Sequence, residues 1–465
     1  MNTQKATIIN ELLRVASVSL TLAVLAACGS PDVCSTHDGV TVCGSFGERG
    51  YVSNVQAQGI TWPPVAVADG RLLVAGRTDL VEIAPDGRVA TLVQAPGPIA
   101  VPSTDPAGGV YLLSGKDGAT TLQAYDPTTR TLRWSAKLAG TPVGTPAALA
   151  GDNIFVATND GGSGATLWRI KSADGMATTV LGGASPAVIA ADGTVRYLST
   201  PNGRDSLAQV PMFTTLVAQS ADGHELWRHD ESAGIVDIAP GPSGETYIVT
   251  GTASGVDTHV LRRIDGNGAI RWSFRPDCGD CTVAAAPTVI AQTVYFPVWE
   301  TRQSKFIDPL YAIDAANGAV RWTFDGFDNV EVSISGVKLL TPGSQGVTDK
   351  TITRHHPAGR PVVAQDGTLY VASDGAVVAL DPDGQLLGFA QYDASAGEVS
   401  SNAFLTEGKW LNPGVRPSPV LGPDGTLYVS DGQTVRSFHT GRVASHAAWT
   451  APYGGPTNDG HAPGM

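Results

Sequence analysis

A short pattern recurs along nearly the whole chain, and it limits the fold more than any other feature. Gln365-Asp-Gly-Thr-Leu-Tyr-Val-Ala-Ser373 is echoed by Pro423-Asp-Gly-Thr-Leu-Tyr-Val-Ser430. Leu310-Tyr-Ala-Ile-Asp-Ala-Ala-Asn-Gly-Ala-Val-Arg-Trp322 is echoed by Leu122-Gln-Ala-Tyr-Asp-Pro-Thr-Thr-Arg-Thr-Leu-Arg-Trp134. Each repeat reads as an apolar run, an Asp-Gly-type turn, a Tyr-Val run, an alternating stretch, a second glycine turn and a final strand. The second turn can be followed as Gly87, Arg130, Gly175, Gly223, Gly268, Gly318, Gly384 and Gly441, at intervals of 43–66 residues. Self-similarity at such a period marks a repeat architecture, and the column defines eight units.

Each unit has room for four strands of about 5–6 residues plus turns. Asp86-Gly87, Asp222-Gly223, Asn267-Gly268 and Asn317-Gly318 are the dipeptides that tight hairpins need, because type I′ turns require positive φ. No segment beyond the N-terminus keeps an i, i+3, i+4, i+7 apolar pattern, so little helix is expected. Eight tandem four-stranded units predict an all-β fold, an eight-bladed β-propeller of antiparallel blades that hides its sheet edges by radial closure. A β-solenoid would repeat at a shorter interval, and stacked sandwiches would need about 100 residues per unit.

The first 27 residues read differently. Lys5 and Arg14 precede an uncharged run from Val15 to Ala27, too short for the ~20 residues that span a bilayer. A basic start, a short apolar core and small residues make a secretory signal. Leu25-Ala26-Ala27-Cys28-Gly29 resembles the bacterial lipobox. That resemblance implies cleavage before Cys28 and a lipid on its sulfur, and Gly29, where an Asp would retain the protein at the inner membrane, points to the outer one. A plain signal with an incidental Cys is the alternative.

Of five Cys, Cys28 leaves four, an even number in an oxidising compartment. Cys34 and Cys43 can close a short loop. Cys278-Gly-Asp-Cys281 lacks the following His of a haem site, since residue 282 is Thr. A redox CxxC usually opens a helix, whereas this one follows an apparent strand, so a local structural disulfide is expected. Metal ligation lacks a second CxxC or a nearby His. With 30 Lys+Arg against 43 Asp+Glu the net charge is −13, which argues against nucleic acid as a partner.

Four residues after the second-turn position stand Trp134, Trp227, Trp272 and Trp322. With Ala312-Ile-Asp-Ala-Ala-Asn-Gly-Ala-Val-Arg-Trp322, they resemble the quinoprotein repeat, roughly A-x-D-x-x-x-G-x-x-x-W. That repeat builds eight-bladed propellers in the pyrroloquinoline-quinone (PQQ) dehydrogenases and in the propeller lipoprotein of the outer-membrane β-barrel assembly machine. The resemblance covers about residues 60–450 and implies that the tryptophans dock neighbouring blades. Thr91, Thr179, Gly388 and Ser445 hold the equivalent places elsewhere, where weaker docking is expected. The expected division is 1–27 signal peptide, 28–58 tether with a disulfide loop, 59–450 propeller and 451–465 tail, the whole a monomeric propeller.

With strands lettered A to D in chain order, for example Pro361-Val-Val-Ala, Gly367-Thr-Leu-Tyr-Val, Val377-Val-Ala-Leu and Gln385-Leu-Leu, A–B and C–D turns are tight and lie on one face. B–C and D–A connections lie on the other and vary in length: Ser199–Met212, Trp299–Pro309, Asp325–Arg360 and Gln391–Arg416 are long. Long connections on a rigid scaffold carry function. No G-x-S-x-G, Walker A or G-x-G-x-x-G is present, and His224-Glu225 fails HExxH at Arg228. His355-His356 reads as a solvated loop pair, and Asp126, Asp265, Asp314 and Asp381 read as turn-forming residues. No catalytic, cofactor-binding or metal residue is nominated. The expected function is a non-catalytic lipoprotein of the bacterial cell envelope, held to the membrane by its lipid alone and binding a protein or envelope polymer through the loop face. The alternatives are a dehydrogenase using PQQ and Ca²⁺, although many such enzymes carry an adjacent Cys pair absent here, or a propeller hydrolase or lyase acting on sugars.

Overall fold

Alternation and turn chemistry translate into strands almost everywhere that the chain is ordered by its repeats. The computed structural model describes residues 34–37, 40–44, 51–56 and most of 64–440. Residues 1–33, 45–50, 57–63, 143–147, 160–164, 201–212, 252–259, 278–280, 284–286, 301–308, 343–349, 356–359, 393–418 and 441–465 lie outside the described residues, as do a few positions at individual turns. The described elements are all β-strands, paired antiparallel.

Numbering repeats as in the sequence, the first forms Val65–Ala66, Leu72–Ala75, Asp79–Ile83 and Val89–Gln94, in that order across one sheet. The second forms Ser103–Thr104, Val110–Lys116, Ala119–Tyr125 and Leu132–Ala139 in the same order. Repeats 4 and 5 share one seven-stranded sheet because Glu225–Pro240 runs unbroken through both. Its first half pairs with Phe213–Gln219 and its second with Thr246–Thr250. There the D–A connection is a continuous strand rather than a loop. Between repeats 6 and 7, the expected long connection contains its own three-stranded sheet, ordered Val337–Pro342, Phe327–Ile334, Lys350–His355.

Two N-terminal features depart from a simple tether. The hairpin Cys34–His37 and Val40–Gly44 extends the sheet of repeat 7 by pairing with its D strand, Leu386–Tyr392. The first of these strands also lies alongside Val337–Pro342 of the inserted sheet. Tyr51–Gln56 then pairs with Thr434–His439 and becomes the fourth strand of the last repeat. An open edge is filled by a distant segment, as the physics of unpaired strand groups requires.

B strands are buried along their length, as in Val195–Ser199 and Thr246–Thr250. D strands alternate or stay open, as in Leu132–Ala139 and Val320–Phe324. Strands covered on both faces read as continuous apolar runs, and outer ones do not. The core is a series of clusters, each joining two successive repeats. Val65 and Leu73 meet Val110 and Leu112, Leu113 and Leu122 meet Ile154 and Val156, and Phe155 and Leu167 meet Val195 and Val217. The series continues through Leu216 with Ile248, Val249 with Val294, Leu310 with Val378 and Val377 with Leu427. Val420 and Val435 of the last sheet then pack on Leu72 and Val74 of the first.

Candidate binding face

The four column tryptophans set how one sheet sits on the next. Each indole lies on the C–D turn of the following repeat and donates to a carbonyl there: Trp134 to Ser172 at 2.8 Å, Trp227 to Gly266 at 2.6 Å, Trp272 to Ala315 at 2.9 Å and Trp322 to Pro382 at 2.8 Å. A Cβ on Gly318 would stand 2.9 Å from the Trp272 ring, and Gly318 has φ +78°. Both the ring and the turn therefore demand glycine. Beneath the ring, a cross-strand ladder supports it. Tyr111, Ala124 and Trp134 stand opposite one another on B, C and D strands, and the small Ala lets the two rings approach to 6.2 Å.

Where the ladder departs, a guanidinium appears. In repeat 4 Arg196 takes the tyrosine's place opposite Ala218 and Trp227, with its Cζ 4.6 Å from the Trp227 ring centroid. In repeat 3, where Thr179 occupies the docking position, Arg169 reaches across instead and donates to the Asp222 carbonyl. Among the other weak-docking positions, Thr91 and Gly388 sit in D strands, and Ser445 lies outside the described residues.

The A–B/C–D face is built from pinned turns. Asp126, Asp265, Asp314 and Asp381 each accept two backbone N–H groups of their own turn. The Thr129 N–H first of all holds the Asp126 carboxyl below its ordinary range, and Arg321 does the same for Asp314. Tyr111 donates to Asp105 at 2.9 Å, and its hydroxyl is pushed up to about 12 by burial and then by that carboxylate.

The opposite side carries a row of acids along the strand Glu225–Pro240 that joins repeats 4 and 5. Asp230 accepts from the Thr215 hydroxyl at 2.6 Å. Buried Glu231 lies 2.9 Å from His229 Nε2 and 3.0 Å from Arg262 Nη1. Asp237, in the second half of this strand, is 3.5 Å from Arg360 Nη2, and Arg360 lies two residues before the A strand of repeat 7. Thr288 of repeat 6 donates to the adjacent Pro361 carbonyl at 3.0 Å. This Asp237–Arg360 contact therefore spans repeat 6 on the loop face. The sequence reading passed over the row. Its signal was the run Arg228-His-Asp-Glu231 directly after a docking Trp, with no turn residue to interrupt it.

Among the described residues no three His, Cys, Asp or Glu side chains gather as metal donors. The buried carboxylates of this face meet guanidiniums, a donor set unlike the oxygen cage that Ca²⁺ takes. Of the nominated positions, Cys28 and Cys278 lie outside the described residues. Cys34 and Cys43 are direct Cα partners across their hairpin, and Cys281 opens a short strand opposite Glu300. His355 ends the strand paired with Phe327, while His224 is an exposed turn residue 3.4 Å from Asp222.

Residues 45–162 and 156–323, together more than half of the chain, match a family model described as outer membrane protein assembly factor BamB. Solved structures with similar folds include BamB from Moraxella catarrhalis, 16% identical, covering 84% of this chain and 99% of that one, with a TM-score of 0.49. The quinohemoprotein alcohol dehydrogenase from Comamonas testosteroni is 14% identical, with 86% and 78% coverage and a TM-score of 0.54. A europium-containing methanol dehydrogenase is 12% identical, with 83% and 85% coverage and a TM-score of 0.52. No curated protein sequence gives a significant match.

Proposed function

The chain belongs to the PQQ-like propeller family of the outer membrane protein assembly factor BamB, and on that premise we propose that it is a non-catalytic scaffold of the bacterial cell envelope. It is an eight-bladed ring, closed where Tyr51–Gln56 completes the last sheet and Val420 packs on Leu72. Cys28 carries lipid and holds the ring at the outer membrane, with Cys34–Cys43 and Cys278–Cys281 as disulfides. A protein or envelope polymer binds through the B–C/D–A face.

The observation that carries this reading is the family match, whose namesake is an assembly factor. The loop face supports it. Its acids are paired and oriented rather than converging on a reactive point, and an independent small sheet, Phe327–His355, is mounted beside it. Rigid scaffolds present recognition on such additions.

The test replaces residues 327–355 by a short Gly-Ser turn and compares capture of cross-linked envelope material by this variant, by wild type and by Asp222→Ala on the opposite face. Selective loss in the first variant, with a melting temperature within a few degrees of wild type, is expected because loop shortening costs little closure entropy. Equal capture by all three overturns the face assignment. Quinone- and Ca²⁺-dependent dye reduction by protein purified from its host promotes the dehydrogenase reading instead.

A further inference from the structure

The two faces also differ in a way the repeats did not announce. The exposed large apolar residues among the described ones are Val89, Leu132, Met176, Leu226, Ile270 and Val320, each 42–62% exposed. All six stand within three residues after the second-turn position of six successive repeats: Val89, Leu132, Ile270 and Val320 two residues after it, Met176 one and Leu226 three. Singly exposed apolar residues are ordinary. Their confinement to the first residues after one turn is not. In a ring of repeats, equivalent positions lie at one height along the axis, so these side chains mark a rim.

The path of the N-terminus leads to the same side. Val40 is opposite Tyr392 and Gly44 is opposite Gly388, so the second hairpin strand runs towards the C–D turn of repeat 7. Cys34 is opposite Cys43, so the first strand begins at that end and runs away from it. The described hairpin therefore begins at the C–D end of that sheet. Cys28 lies six residues before Cys34, a reach of at most about 20 Å at ~3.4 Å per residue.

We infer that the C–D rim is a membrane-docking surface, resting on a zwitterionic lipid leaflet and turning the B–C/D–A face away from it. This rests on the reading of Cys28 as the lipid-bearing residue and goes beyond tethering alone. A spread ring of single apolar side chains suits a plane, which meets all of them at once, better than a protein partner, which needs a contiguous patch. Weak contacts suffice because the anchor holds the rim at high effective concentration. The same turns carry Asp126, Asp174, Asp222, Asp265, Asp314 and Asp381, so anionic lipid is disfavoured.

The experiment uses the full lipidated chain on phosphatidylcholine vesicles, after intact mass has established lipid at Cys28. Hydrogen peroxide oxidation of Met176, on the rim, is compared by peptide mass with that of Met212, in the B–C connection of repeat 4. The reference is the mature chain with Cys28→Ser, secreted behind an ordinary cleavable signal, without vesicles. Because methionine oxidation follows exposure, the Met176/Met212 rate ratio is expected to fall about five-fold on vesicles. It should recover in Leu132→Asp/Ile270→Asp/Val320→Asp, which remains anchored. Should that variant not fold, Ile270→Ser/Val320→Ser should give partial recovery. Exchanging a third of the lipid for phosphatidylglycerol should weaken the protection, and stronger protection overturns the zwitterionic assignment. An unchanged or increased ratio with lipid in place overturns the docking. Absence of lipid at Cys28 overturns the anchor reading separately. Docking is then judged by co-sedimentation of the unlipidated chain with the same vesicles, where binding insensitive to the rim substitutions overturns it.

Discussion

Trp272 is buried, its indole N–H is satisfied by Ala315 in the next sheet, and its ring covers Gly318. Removing the ring leaves both a cavity and an uncovered turn, so Trp272→Ala should cost about 3–5 kcal/mol in urea unfolding. Half-buried Trp322 should cost less. Gly318→Ala should also destabilise, through positive φ and through collision with the ring. In a Trp272→Ala background the collision disappears, so the two costs should fall short of additivity by about 1 kcal/mol or more. Additive costs would mean that ring and turn do not meet. The tryptophan column was legible because one residue type recurs at one spacing. Arg169 and Arg196 were not, since they reach the same joints from other strands and match no repeat consensus. Arg196 is fully buried, and its Nε and Nη1 find no partner among the described residues. Burial pulls its guanidinium down from the usual range, against the pull of Asp192. A charge so placed contributes little net stability. Arg196→Met should therefore leave unfolding free energy within about 1 kcal/mol of wild type or raise it, and a loss above ~2 kcal/mol would show that the cation over Trp227 is a net stabiliser.

At the scale of elements, the strands and turns inside each repeat were readable, and the joins between distant segments were not. Pairing of Tyr51 with Phe438 leaves no local trace, because a closing strand resembles any other short alternating run. The same holds for the hairpin that extends repeat 7 and for the strand Glu225–Pro240 that merges two sheets. Its acid row was missed for that reason: a D–A loop was expected where a strand continues. Counting outwards from Asp38-Gly39, Cys34 and Cys43 fall at a non-hydrogen-bonded pair, where Cα atoms approach to about 4.5 Å, within the range a disulfide bridges. Alkylation of the native, unreduced chain should therefore leave both unlabelled, while labelling of either would reject the pairing. Deleting residues 51–56 should expose the edge of Thr434–His439. Aggregation and loss of a single cooperative transition are the expected results, and a soluble monomer melting within a few degrees of wild type would show that this strand does not close the last sheet.

For the whole molecule, acid should be the condition that opens it. One motif recurs among the described C–D turns, an Asp accepting backbone N–H groups of its own turn, and several turn carboxyls lie below their ordinary range. At Asp126 the leading cause is the Thr129 N–H, at Asp222 the Ser220 hydroxyl, and at Asp314 Arg321. A carboxyl whose folded pKa is depressed adds stability that is complete above its unfolded value, near 4, and disappears as pH falls through the folded value. From pH 8 to pH 5 these groups stay ionised in both states and contribute no slope. Over the same range partial loss of the −13 net charge relieves self-repulsion, so the melting temperature should be flat or rise slightly. Below about pH 4 the turn carboxylates gain protons more readily in the unfolded chain than in the folded one, and stability should fall steeply. Because the turns recur through repeats whose core clusters each join one repeat to the next, the loss should appear as one cooperative calorimetric transition. A melting temperature that stays constant down to pH 2.5 would mean that these hydrogen bonds add nothing, and two separated transitions would mean that the sheets do not fold as a single unit.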